Sequence, residues 1–230
     1  MATHKSLQCR LTLWSIMLTG CLTFWHTPAY PEGYIAGQLG VTIPGPLSDV
    51  DVNDTILAPF DKSSDLDLQT SFLFGAKLGY YSQNVRWFGV EAEVFHTTPH
   101  IKQQSQTLTA TSLGVSATDT VSGEYLRVIT LAGNLMFRYP GRRWQPYFGV
   151  GPGIFFARIT DPTVSDTQSS TSLGLNTQLG LRYFMTRNVA VFGEYKFNYA
   201  RFSFAETFNL IGFDATYMAH NFVFGIGYHF

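Results

Sequence analysis

Asn221-Phe-Val-Phe-Gly-Ile-Gly-Tyr-His-Phe230 sets a large apolar side chain at every second position, Phe222, Phe224, Ile226, Tyr228 and Phe230. Asn221, Val223, Gly225, Gly227 and His229 fill the positions between. A helix would scatter these two sets around its circumference. Only the two-residue repeat of a strand gathers five large apolar groups on one face and small or polar ones on the other.

The same alternation recurs upstream in seven further segments. Ile35, Gly37, Leu39, Val41 and Ile43 oppose Ala36, Gln38, Gly40 and Thr42, and Phe72, Phe74, Ala76, Leu78 and Tyr80 oppose Ser71, Leu73, Gly75, Lys77 and Gly79. Phe88, Val90, Ala92 and Val94 stand against Gly89, Glu91 and Glu93, and Ile129 through Tyr139 against Asn134, Met136 and Arg138. Phe148–Phe156 alternates with Gly149, Gly151 and Gly153, Leu173–Tyr183 with Asn176, Gln178 and Arg182, and Val191–Phe197 with Glu194, Lys196 and Asn198. Eight strands are therefore expected. Their connections alternate between short ones, at Tyr81–Arg86, Pro140–Gln145 and Met185–Asn188, and long polar ones near 44–67, 98–123, 160–171 and 201–214. A closed antiparallel barrel with both ends on one side of a membrane produces that asymmetry.

Composition separates a membrane barrel from a soluble one. Of 230 residues 45% are hydrophobic and 16% aromatic, while only 13% are charged, about half the usual share. A soluble barrel turns its apolar faces inward and needs a charged exterior, which so few Lys and Glu residues cannot build. The apolar faces are therefore expected to meet lipid, with Tyr80, Trp87, Tyr139, Trp144 and Tyr183 forming an interfacial girdle at the short turns. No apolar run after residue 30 is long enough for a spanning helix. Closure satisfies the backbone groups that lipid cannot. The expected fold is all-β: a closed antiparallel eight-stranded up-and-down transmembrane β-barrel.

The first residues read as a secretory leader. His4, Lys5 and Arg10 precede the apolar run Leu11–Gly20, and Thr27-Pro28-Ala29 suits cleavage after Ala29. Residues 1–29 are thus expected to be a signal peptide and 30–230 the barrel domain. Leu18-Thr19-Gly20-Cys21 offers the alternative of lipid attachment at Cys21. Both cysteines, Cys9 and Cys21, precede residue 30, so the barrel segment has no disulfide and no thiol nucleophile. That segment holds all 16 acids and 13 of the 15 basic residues, a net charge of −3 that argues against a nucleic-acid partner.

Trp87-Phe-Gly-Val-Glu-Ala-Glu-Val-Phe95, Gln145-Pro-Tyr-Phe-Gly-Val-Gly-Pro-Gly153, Gly174-Leu-Asn-Thr-Gln-Leu-Gly-Leu-Arg182, Phe192-Gly-Glu-Tyr-Lys196 and Val223–Phe230, in this order over residues 34–230, resemble the small eight-stranded outer-membrane barrels of Gram-negative bacteria, the OmpA-like, OmpX-like and opacity-type group. The resemblance implies an outer-membrane location with both mature termini in the periplasm. It implies contact with outer-membrane lipids and lipopolysaccharide. It also implies an assembly signal, read by the barrel-assembly machinery, on Phe222, Phe224, Tyr228 and Phe230. It leaves the biological role open, because the group spans anchors, adhesins and resistance factors.

Lys77, Glu91, Glu93, Arg138, Arg182, Glu194 and Lys196 fall on the inward set. In a narrow lumen four cations and three anions must pair, and Glu194 with Arg182 is the expected couple. The Asp-rich first loop, Asp49 to Asp67, begins like a calcium loop, but its sixth position is Asp54 instead of Gly and its twelfth is Phe60 instead of Glu. His96 and His100 flank Pro99, which spoils a helical metal pair. His96, Asp119, Asp161 and Asp214 could supply acids and a base at the outer rim, but no spacing ties them to a serine. No catalytic, metal or cofactor site is expected. The reading is a structural or surface-interaction barrel acting through an extracellular ligand of its loops, with a narrow passive pore or a rim-active lipid or peptide hydrolase as alternatives.

Overall fold

A computed structural model describes residues 33–52, 60–121, 123–160, 167–206 and 212–230. The leader, with its cleavage site and Cys21, lies outside the described residues, as do Asp54, Asp161 and the side chain of Asp119.

Twelve strands are formed by these residues: β1 (Gly33–Pro44), β2 (Ser48–Val52), β3 (Lys62–Ser63), β4 (Ser71–Tyr81), β5 (Phe88–Thr97), β6 (Gln104–Ala110), β7 (Val115–Val121), β8 (Tyr125–Arg138), β9 (Trp144–Thr160), β10 (Thr167–Phe184), β11 (Val189–Phe204) and β12 (Phe213–His229). Eight of them make the wall, in the order β1-β4-β5-β8-β9-β10-β11-β12, each antiparallel to the next. β12 then pairs with β1 from Tyr34↔His229 to Pro44↔Ala219 and closes the sheet. The chain is a closed, antiparallel, up-and-down eight-stranded transmembrane β-barrel.

Burial follows the two-residue repeat. On β8, Leu126, Val128, Thr130, Ala132, Asn134 and Met136 are buried inside, while Ile129, Leu131 and Leu135 face out. The outward side is an apolar surface in which Phe72, Leu173 and Phe224 are more than 70% exposed. Water would not tolerate such a surface; the acyl chains of a bilayer do. At the short-turn end Tyr80, Trp87, Tyr139 and Trp144 are exposed, with Trp87 stacked on Phe137 and Trp144 against Tyr183 at 4.6 Å.

The long connections depart from the expectation of polar loops. β9 runs to Thr160 and β10 starts at Thr167, so 167–171 belong to the wall; likewise β11 reaches Phe204 and β12 begins at Phe213. In the first two connections β2, β3, β6 and β7 extend the sheet beyond β12, through Phe213↔Val52, Val50↔Ser63, Lys62↔Thr109 and the β6–β7 hairpin. Beyond the bilayer the outward face meets water instead of lipid, so Arg201, Ser203 and Ser169 take it and the lipid-facing apolar series ends, while the backbone ladder and the buried inner face continue.

Candidate functional site: the filled interior

Inward side chains form three layers. Nearest the short turns lie Tyr34, Tyr81, Tyr147, Phe192 and Met136 with Arg138, Arg182 and His229. Glycine makes room for these rings: a Cβ at Gly79 would strike the Tyr34 ring, and one at Gly180 the Tyr147 ring. Arg138 stacks on Tyr81 at 3.8 Å, and Arg182 lies 4.5 Å from the ring centre of Tyr34 and 5.1 Å from that of Tyr147. A guanidinium over an aromatic face is stabilised by the ring quadrupole and costs less to desolvate than an ammonium.

The middle layer is ionic. Lys77 Nζ donates to both Glu194 oxygens, at 2.7 and 2.9 Å, and to Glu91 Oε1 at 3.3 Å. Lys196 donates to Glu93 Oε2 and lies 3.4 Å from Glu194 Oε2. Amides add further donors: Gln178 Nε2 to Glu91 at 2.6 Å, Asn176 Nδ2 to Glu93 at 2.7 Å and Gln38 Nε2 to Glu93 at 3.3 Å. Tyr34 Oη donates to Glu91 Oε2 at 2.5 Å, and Tyr147 Oη donates to Glu194. Burying five ions is expensive, and only such saturation by opposite charges and donors recovers the cost.

A ladder of amides joins this layer to the far wall. Thr42 Oγ1 donates to Asn221 Oδ1 at 2.6 Å, Asn221 to Asn198 and Asn198 to Asn176 at 2.7 Å each, and Asn176 to Asn134 at 2.9 Å. The final step crosses β9 over Gly151, where a Cβ would run into the Gly133 carbonyl.

The outer layer is apolar. Leu126, Val128, Phe155, Ile159, Phe202 and Tyr217 from the wall pack with Leu47, Val50, Leu66, Leu68 and Ile101 from the first two long connections. Side chains therefore fill the mouth.

The structure places all seven inward charges in the lumen, buried. It corrects one pairing: Glu194 takes Lys77, Lys196 and Tyr147, while Arg182 sits among tyrosines. Across the β10–β11 ladder Glu194 faces Gly180 and Arg182 faces Phe192, so the expected partners stand one inward step apart. The step carries Arg182 into the aromatic layer. Sequence reading passed over Tyr34, Tyr81, Tyr147 and the amide ladder as a unit; the three tyrosines share the inward parity of their strands, the signal that could have found them. Phe222, Phe224, Tyr228 and Phe230 all point outward and are exposed.

The first-loop acids have local partners. Asp51 meets Arg201 Nη2 at 3.0 Å, Asp67 lies 3.8 Å from Lys102 Nζ, and Asp61 accepts the Thr111 amide at 2.7 Å. That backbone donor holds the Asp61 carboxyl below its usual range. Among the described residues no group of three or more His, Cys, Asp or Glu could hold a metal ion. His96 rests against Phe74 on the outer face, and His100 edges onto Tyr125. Asp214 faces Asp51 in the β12–β2 ladder.

Compared with known proteins, residues 18–230 match the family described as outer membrane protein beta-barrel domain. OprG, an outer membrane protein from Pseudomonas aeruginosa, is 13% identical with a TM-score of 0.58, the match covering 87% of this chain and 97% of that one. Neisserial surface protein A is 13% identical with a TM-score of 0.53, over 88% of this chain and 100% of the other. At such identity the likeness is one of fold. No curated protein matches the chain.

Proposed function

The chain belongs to the outer membrane protein beta-barrel domain family, and from that premise we propose an outer-membrane protein with a structural and surface-interaction role, exerted through its extracellular segments around a closed lumen. The observation that carries the reading is the filling of the interior at successive levels, by Lys77, Glu91, Glu93, Glu194 and Lys196 in the middle and by Phe155, Leu126 and the loop residues Leu47 and Ile101 above. An eight-stranded barrel has room for little more than its own side chains. The segments beyond the wall, with β2, β3, β6 and β7 in one sheet, support the second half of the reading, since a hydrogen-bonded surface presents polar groups to a ligand with less ordering cost than a free loop.

In this reading residues 1–29 are the export leader, and the ends of the barrel at Gly33 and Phe230, on the short-turn side, face the periplasm. Phe222, Phe224, Tyr228 and Phe230 form the edge that the assembly machinery reads. Outer-membrane lipids, lipopolysaccharide among them, surround the wall. Planar-bilayer recording of the purified, refolded protein tests the closed lumen: no steady single-channel steps are expected, and steps whose size changes in Glu194→Ala would overturn it.

A further inference from the structure

On the outer face of the wall Arg127 of β8 and Arg158 of β9 are direct cross-strand partners, and Arg158 is in turn opposite Ser169 of β10. All three side chains are exposed. Like charges directly opposite in an antiparallel ladder destabilise it, with Cβ atoms about 5 Å apart. Neither guanidinium has a carboxylate partner among the described residues, whereas Arg201, on the same outward parity of β11, is neutralised by Asp51. The rung calls for an anion that the described protein does not supply.

Its height says where that anion comes from. Below Arg127 the outward face of β8 carries Ile129, Leu131, Gly133, Leu135 and Phe137; below Arg158 that of β9 carries Phe156, Ile154, Pro152, Val150 and Phe148. Both apolar series stop at one rung, Ile129↔Phe156, and the arginines occupy the next. At about 3.4 Å per residue and a tilt near 40°, they stand roughly 25 Å above Phe137, the height of the apolar band of such barrels. Lipid phosphates lie at that level. A groove of about 970 Å³ on the lipid-facing surface is lined by Leu39, Phe74, Phe224, His96 and Ile129, the last one outward step from Arg127. It offers room for an acyl chain beside a phosphate on the arginines.

We propose that Arg127, Arg158 and Ser169 bind the phosphate of an outer-leaflet phospholipid or phosphorylated glycolipid. Two guanidinium forks suit a tetrahedral oxyanion, and Ser169 adds a hydroxyl donor. Binding converts the repulsion across the rung into attraction. The inference rests on the outer-membrane reading, and its test separates the two.

The full chain, refolded in neutral detergent, is titrated with diphosphorylated lipid A, with the same lipid lacking phosphate, and with inorganic phosphate, and the thermal midpoint is followed by the gel shift on boiling. Lipid A is expected to raise the midpoint, and the other two to leave it unchanged. Arg127→Gln with Arg158→Gln is expected to lose the rise, yet to melt at or above the parent without lipid because the repulsion is gone. A merely structural role would not give that reversal. A rise kept by the double variant, or equalled by either phosphate-free lipid or inorganic phosphate, would overturn the site alone. Absence of the boiling shift from the parent would overturn the barrel reading and the site with it.

Discussion

Lys77 of β4 and Glu194 of β11 meet at 2.7 Å across the lumen, although β1 and β12 lie between their strands in the wall. Both side chains are within 1% of complete burial. The contact spans 117 residues of sequence and ties opposite sides of the cylinder together.

Removing Glu194 takes from Lys77 its shortest ion pair and leaves it the longer ones to Glu91 at 3.3 Å and Glu93 at 3.9 Å. Glu194→Ala is expected to lower unfolding stability by about 3–5 kcal/mol, the scale for breaking a buried pair. Combining Lys77→Met with Glu194→Gln is expected to cost less than the sum of the single changes, because the shortest ion pair of the layer is then lost once and not twice. Urea titration in detergent reads both; strictly additive losses would show that the two groups are not coupled.

Tyr147 donates to Glu194 beneath Arg182, so Tyr147→Phe keeps the ring under the guanidinium and removes only the hydroxyl. A loss of about 1.5–3 kcal/mol is expected, the range for a hydrogen bond to a charged group. Tyr34→Phe should behave alike through Glu91. Unchanged stability in both would mean that these hydroxyls contribute nothing to holding the carboxylates.

Gly151 lets the amide ladder pass. A Cβ there would come within 2.8 Å of Asn134 Cα as well as striking the Gly133 carbonyl, and backbone cannot step aside cheaply. Gly151→Ala is expected to cost about 1–3 kcal/mol by overpacking. The same substitution at lipid-facing Gly133, where a Cβ meets nothing within 4 Å, should be nearly neutral. Equal effects at the two sites would contradict the assigned faces.

The β6–β7 hairpin contacts the rest of the sheet through Lys62↔Thr109 and Ser63↔Leu108, outside the closed wall. Replacing residues 103–118 by a short Gly-Ser link is therefore expected to leave membrane insertion and the boiling shift intact while changing any ligand binding at the surface. Loss of insertion would count against a surface role for the hairpin.

Phe230 pairs its backbone with Gly33 in both directions, at 2.9 and 3.2 Å, and its ring faces lipid. Deleting it forfeits roughly 1.5–3 kcal/mol of side-chain burial, yet outer-membrane levels should fall far more than this implies, while refolding in detergent stays nearly normal. Quantitative blotting of membrane fractions decides it: equal levels of variant and parent would sink the assembly signal.

Which side of the wall each residue takes was legible before any coordinates. Side-chain direction in a strand alternates by local backbone geometry alone, so Lys77, Glu91, Glu93, Arg138, Arg182, Glu194 and Lys196 could be read as inward and Phe222, Phe224, Tyr228 and Phe230 as lipid-facing. The number of wall strands followed from the same local rule. The rule loses its grip where the outward face meets water instead of lipid and no longer has to be apolar. Residues 167–171, β2, β3, β6 and β7 stand in the sheet without an apolar alternation to announce them.

Partners inside the lumen were a different matter. Whether Glu194 meets Arg182 or Lys77 depends on the register of every intervening strand pair and on the shear with which the sheet closes. A displacement of one inward step sends Arg182 to the tyrosines and leaves Glu194 to a lysine from the far wall. Local alternation thus determined the faces, and closure of the cylinder, a property no single segment contains, decided the contacts across it.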